Sequence, residues 1–446
     1  MNTLKYKGFR EEISIYRENS PSEVITMAQT IAEKILASHS SRETVHPGEF
    51  VQANIDIAMG HIALARVAAN FLGFPREIRK IWDPNKVVAL EDHYAPPPSE
   101  RWAMVQKLIR DFAKEQNIKN FYDIKAGICH QVLPEKGHVL PGTIVVGTDS
   151  HTTTYGAYNA AGTGIGYTEM TWVFIKGSLW FRVPETLKFD INGKLQKGVM
   201  SKDVLLNIAG TYKADVAQYK SVEFTGKTVE NMSLASRTVL SNMGLEIGAK
   251  FAFTTPDRKI LDFLKGRTKE KVELVKADED AKYEKVYEMD VTNLEPQVAC
   301  PHTVDNVKPI SQVEGTPVHQ AFLGSCTNGR LEDMRIAAEI LKGQKVHRDC
   351  RMIVIPASWE VYKDAMNKGY IETLIDAEAI ICNSNCGPCF GSHMGMLCGG
   401  EKCISSSNRN FRGRMGSENA EVYLASPATV AASALNAKIT DPRKVM

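Results

Sequence analysis

Residues 142–151 read Gly-Thr-Ile-Val-Val-Gly-Thr-Asp-Ser-His: a short apolar run that breaks off into polar, chemically capable side chains. Similar runs occur at Lys86–Leu90, at 352–356 (Met-Ile-Val-Ile-Pro) and at 379–382 (Ala-Ile-Ile-Cys). Continuous apolar runs of this length suit strands buried on both faces, as strands of parallel sheets are. Segments with helical spacing lie between them. Over 22–38, Ile25, Ala28, Ile31, Ile35 and Leu36 share one side, with Ser20 or Ser22 as the cap. The alternation predicts an α/β architecture with mainly parallel sheets. Sites in such sheets gather beyond the carboxyl ends of the strands. Asp92-His93 follows one predicted strand, Asp149–His151 a second and Cys386 a third.

At 446 residues, 43% of them hydrophobic and 24% charged, the chain has apolar material for roughly two to four domains. A second α/β unit begins near Lys188, and a third near Gly315. The Lys-, Glu- and Asp-rich stretch 265–295 reads as a solvated helix or connector. The expected division is therefore 1–187, 188–314 and 315–446. A net charge of +2 offers no field for nucleic acid or an anionic membrane surface, while local arginines can still serve small anions. No apolar run reaches the ~18 residues of a membrane span. The charged segment Met1–Glu12 has no apolar signal core. A soluble, cytoplasmic protein is expected.

Nine cysteines, an odd number, do not make a disulfide framework in a chain this long, and five of them crowd into 382–403. Cys386-Gly-Pro-Cys389 is a C-x-x-C, and Cys326 lies 60 residues before Cys386. On spacing alone this could be a redox dithiol, part of a zinc site completed by Cys382, Cys398 or Cys403, a cluster site, or packed thiols. Three histidines sit beside or near carboxylates or at predicted strand ends: His93 next to Asp92, His151 two residues after Asp149, and His130. A lone histidine is usually a hydrogen-bonded core residue. Three in this placement favour proton transfer, because a carboxylate fixes the imidazole tautomer and raises its basicity. Arg409 and Arg414 read either as a solvated basic loop or as bidentate carboxylate anchors.

Six blocks carry a resemblance. They are Gly127-Ile-Cys-His-Gln131, Gly147-Thr-Asp-Ser-His-Thr152, Asn242-Met-Gly-Leu-Glu-Ile-Gly248, Gly324-Ser-Cys-Thr-Asn-Gly-Arg330, Asn385-Cys-Gly-Pro-Cys-Phe-Gly391 and Ser407-Asn-Arg-Asn-Phe-Arg-Gly-Arg414. In this order the chain resembles the aconitase and isopropylmalate dehydratase family, most closely its short, separately encoded large subunits. The resemblance implies three α/β domains around a central cluster cleft. It implies a [4Fe–4S] cluster on Cys326, Cys386 and Cys389, with one iron left open as a Lewis acid rather than a redox centre. The implied reaction is reversible loss and re-addition of water on a hydroxy-di- or tricarboxylate. Asp92 and His93 would handle the leaving hydroxyl. His130, Asp149, Ser150, His151 and Glu246 would hold bound water and substrate, with Asn242 also in the active site. Asn408, Arg409 and Arg414 would anchor carboxylates. Cys382, Cys398 and Cys403 have no ligand counterpart and default to packing.

One departure concerns the substrate. His61 falls where the family has a substrate-contacting Gln or His, but Ile62, Ala63 and Leu64 follow where Asp and, shortly after, Thr are common. 3-Isopropylmalate leads, with homoaconitate, citrate-type, methylcitrate-type and dimethylmalate substrates as alternatives. The family's swivelling domain, with a Ser-Ser-Arg that supplies the base serine, has no counterpart after the cluster region. Ser40-Ser41-Arg42-Glu43 matches its letters on the wrong side of that region and reads as a decoy. A small subunit supplying the serine is the expected partner. An RNA-binding regulatory protein is disfavoured by the near-neutral charge, and a zinc scaffold would show one zinc and no sulfide.

Overall fold

Each predicted apolar run forms a strand: Val87–Leu90, Ile144–Gly147, Arg351–Val354 and Ile380–Ile381. A computed structural model describes residues 28–446. The helix expected over 22–38 spans Ile31–His39, and residues 22–27 lie outside the described residues. Its start is set by a reciprocal cap. The Thr30 hydroxyl accepts from the Glu33 N–H, and Glu33 accepts from the Thr30 N–H at 2.8 Å. At its far end both ring nitrogens of His39 face acceptors, the Ile35 carbonyl at 2.7 Å and Asp56 at 2.7 Å. Asp56 also accepts from the Ile144 N–H at 2.8 Å, which ties this helix to a central strand.

Burial disfavours the charged forms of this pair, but the contact outweighs it, so His39 is raised and Asp56 lowered. A raised histidine contributes stability that is complete below about 6.5 and lost as pH rises through its folded value. The lowered aspartate contributes above about 3.8 and is lost on acidification through its folded value. His39→Gln is therefore expected to destabilise the chain by about 1 kcal/mol at pH 5.5 and by less at pH 8.5. Denaturant titrations at the two pH values check this; an equal loss at both would contradict it.

The first large sheet runs in the order Asn120–Tyr122, Val87–Leu90, Ile57–Gly60, Ile144–Gly147, Ala161–Gly164, all parallel. The chain builds outward from Ile57–Gly60 on one side and then on the other, so the winding reverses between Ile57–Gly60 and Ile144–Gly147. The seven-stranded sheet repeats this plan. Its parallel part runs Glu421–Leu424, Lys402–Ser405, Gln320–Leu323, Arg351–Val354, Ile380–Ile381, with the reversal between Lys402–Ser405 and Gln320–Leu323. Gln297–Ala299 and Val307–Pro309, which precede Gly315, extend it in antiparallel fashion. Crevices at such reversals are where parallel sheets bind ligands.

Between them in sequence lies a parallel sheet ordered Phe251–Thr254, Ser221–Thr225, Thr186–Asn192, Lys285–Asp290. The charged stretch 265–295 is not a helix: it is mostly irregular and contains the edge strand Lys285–Asp290. Tyr287 of that strand stacks on Phe189 at 4.7 Å. The helix Leu234–Met243, capped by the Ser233 hydroxyl, packs this sheet against the segment Ser150–Tyr158. Among the described residues no helix is long and apolar enough to cross a membrane.

Candidate functional site

The two reversal crevices open onto one cavity of about 480 Å³. From the first sheet come His61, just past Gly60, then Asp92 and His93 past Leu90, and Thr148–His151 past Gly147. From the seven-stranded sheet come Cys326 past Leu323, Asn408 and Arg409 past Ser405, and Cys386 and Cys389 past Ile381. Gly147 lets its loop fold back closely, since a Cβ there would stand 2.3 Å from the Thr152 hydroxyl oxygen and 2.7 Å from the Met59 methyl. The two halves are joined directly: the Cys386 N–H donates to the Asp92 carbonyl at 3.0 Å.

The acid–base half is a linked set of buried groups. His93 Nδ1 donates to Asp92 at 2.6 Å, and the other Asp92 oxygen accepts from the Cys129 N–H at 3.0 Å. Burial opposes charge on both. Their mutual attraction outweighs it, holding Asp92 well below the carboxylate range and His93 above its ordinary value. Asp149 accepts from His130 Nε2 and from the His151 N–H, both at 2.8 Å, and lies 3.5 Å from His61 Nε2. These three histidines hold it ionised against burial. His130, where burial wins, is lowered and neutral, while His151 is raised by Asp149 and Glu246 over the opposing effect of burial. The Thr148 hydroxyl fixes the His61 ring by donating to Nδ1 at 2.7 Å. Donor atoms of His61, His93 and Asp149 come within 4.8 Å of one another.

Two expected residues stand behind the cavity wall. Asn242 is fully buried, and its amide donates to the Thr154 hydroxyl at 2.8 Å and to the Cys326 sulfur at 3.3 Å. Glu246 accepts from His151 Nε2 at 2.6 Å and from Arg409 Nε at 2.9 Å, so it orients both. Ser150, Asn408, Arg409 and Arg414 line the cavity. Ile62, where the sequence departs from the family pattern, lines it too, as do Arg66, Arg101, Trp102 and Phe390, which were not singled out from sequence. Arg66 had a readable signal, lying one helical turn beyond Ile62. Of the remaining cysteines, Cys403 is buried and Cys382 half-buried, but Cys398 is exposed and does not pack. Ser40, Ser41 and Arg42 lie outside the cavity, and Arg42 pairs with Glu49 at 3.0 Å on the surface.

The model of the family described as "Aconitase family (aconitate hydratase)" matches residues 85–437. The chain belongs to the aconitase family. Among relatives, "Probable 3-isopropylmalate dehydratase large subunit" of Methanothermobacter thermautotrophicus is 53% identical over 416 residues, 93% of this chain and 99% of the relative. "3-Isopropylmalate dehydratase large subunit 1" of Methanopyrus kandleri is 51% identical over 94% of this chain and 99% of its own length. "Probable methanogen homoaconitase large subunit" of M. thermautotrophicus is 48% identical over 93% and 97%.

The aconitase family binds a [4Fe–4S] cluster, and the sulfur half of the cavity fits one. Cys326, Cys386 and Cys389 are buried and all line the cavity. Two of the three sulfurs receive polar hydrogens: Asn242 and Asn408 donate to Cys326 at 3.3 and 3.6 Å, and Arg414 to Cys389 at 3.7 Å. Donors aimed at sulfur suit thiolates, the form that binds metal. The Cys386 thiol, followed by Arg414, draws Cys389 well below the thiol range against the effect of burial. Burial pushes Cys326 up to about 12, so a metal or cluster must displace its proton.

Proposed function

We propose that this aconitase-family chain is the large subunit of a hydro-lyase that removes and re-adds water on a hydroxy-di- or tricarboxylate, with 3-isopropylmalate the leading substrate. The convergence of three buried sulfurs, a charged Asp92–His93 pair and two arginines on one cavity carries the reading. Cys326, Cys386 and Cys389 would hold the cluster, which would supply a Lewis acid for a hydroxyl and a carboxylate.

This chain's own groups do the rest. His93, kept protonated by Asp92, delivers a proton to the departing hydroxyl. Asp149 and its three histidines hold a water or hydroxyl in a fixed orientation. Arg409, aimed by Glu246, and Arg414 take the substrate carboxylates, which their planar donor sets match. Asn408 and Ser150 complete the polar wall. Ile62, Val105 and Phe390 leave part of the cavity apolar, which suits an alkyl side chain and favours 3-isopropylmalate. The relatives named as isopropylmalate enzymes support the same choice, and the one named as a homoaconitase supports a tricarboxylate as the second.

The base that removes the carbon-bound proton is assigned to a small subunit, as the relatives' "large subunit" names suggest. The cluster-loaded chain alone is expected to turn over 3-isopropylmalate at less than about 1% of the rate of the reconstituted pair, as loss of a general base costs ~10²–10⁴-fold. Rate assays with and without the small subunit, against 3-isopropylmalate, homoaconitate and citrate, test this. Full activity of the chain alone would remove the partner from the reading, and dehydration of none of the three acids would remove the function.

A further inference from the structure

We propose that Lys202 is the internal counter-charge of the sulfur site, a positioning residue that clamps the Cys326 loop to the Asn408 loop. The proposal rests on the reading that the three sulfurs hold a cluster.

Met200-Ser-Lys-Asp203 opens the helix Ser201–Tyr212, a place where a lysine is ordinarily solvated. Lys202 is instead wholly buried. Its ammonium donates to Asn328 Oδ1 at 3.1 Å and to the Ser406 carbonyl at 2.5 Å. Asn328 is two residues past Cys326, and Ser406 two before Asn408, whose amide reaches the Cys326 sulfur. One side chain from a distant helix thus holds both loops at the first point behind the sulfurs.

Its acceptors are neutral, and among the described residues no carboxylate pairs with it. Asp203, next to it in sequence, gives its oxygens to the Met200 and Gln297 N–H groups at 2.7 and 2.9 Å. Asp333 accepts from Asn328 Nδ2 and from the Gly329 and Arg330 N–H groups, at 3.2, 2.9 and 2.9 Å. Arg330, the other buried cation here, donates to the Thr327 and Cys326 carbonyls. Lys202 and Arg330 therefore stand behind the sulfurs while both nearby carboxylates already accept from N–H groups. A buried ammonium on neutral acceptors is costly unless an anion faces it. A doubly positive iron–sulfur core on three thiolates carries one net negative charge and is that anion. Burial draws Lys202 down to about 7 even against the opposing pull of Asp333 and the Cys326 and Cys389 sulfurs.

Lys202→Met keeps the side-chain length and removes the charge. The cluster-free variant is expected to fold with an unchanged circular dichroism spectrum, since an apolar side chain replaces a buried charge. After anaerobic reconstitution its cluster should have a more negative reduction potential and lose iron to EDTA at least about tenfold faster, one decade per 1.4 kcal/mol of lost binding. An unchanged potential with an unchanged rate of iron loss would overturn the proposal; a merely structural role would not move the potential. Should the Met variant fail to fold, Asn328→Asp sets a carboxylate against the ammonium and must shift the potential in the same direction; no shift would again overturn it. Failure of the underlying reading looks different: the unmodified chain would take up no iron and sulfide.

Discussion

Cys389→Ser is expected to leave a folded chain that retains no stable cluster and, with its partner, dehydrates substrate at least about 10⁴-fold more slowly. The serine oxygen is not a thiolate, and with it goes the sulfur that Cys386 and Arg414 both donate to. Two cysteines remain where three converge. The Lewis acid then lost is worth several kcal/mol in the transition state, and about 5.5 kcal/mol corresponds to four decades in rate. Iron and sulfide analysis, circular dichroism and a rate assay on the same preparation check the result. Cys398→Ser, at an exposed position outside the cavity, should change neither metal content nor rate. A Cys389→Ser protein with full iron and a rate within tenfold of the original would refute the ligand assignment.

His93→Gln is expected to lower kcat by about 10³-fold while KM changes less than about threefold, the signature of a group that acts on a proton in the transition state. Asp92→Asn should approach the same loss, because the carboxylate that keeps His93 charged is gone and the ring is no longer held by it. The pH profile supplies a second readout. A general acid whose value is raised works below that value and fails as pH climbs through it, so the alkaline limb of kcat should belong to His93 and vanish in His93→Gln. A variant with unchanged kcat, or one that keeps the alkaline limb, would move the proton donor elsewhere.

The strands that frame the site were legible because strands buried on both faces must be apolar throughout. Val87–Leu90 and Ile144–Gly147 are wholly buried, and each stops abruptly where the loop meets the cavity. The cysteines and the Asp-His pairs were legible because each is a local motif. Long-range facts were not. The edge strand Lys285–Asp290 hides beneath its charges, since only one side of it meets the core and its partner lies about a hundred residues earlier. The helix start at Ile31 was decided by the Thr30–Glu33 cap, which upstream apolar spacing obscured. Motifs name a residue without saying which way it faces: Asn242 sits behind a sulfur, and Lys202, of a residue type ordinarily solvated, lies buried beneath two loops.

The crevices that make the cavity sit on two sheets, and the second is completed by strands near the end of the chain. Asn408 and Arg414, which donate to the Cys326 and Cys389 sulfurs, are therefore translated only after all three of the site's cysteines. The polar surroundings of the sulfur site are in this sense a late product of synthesis, complete only once the last of its loops has been made.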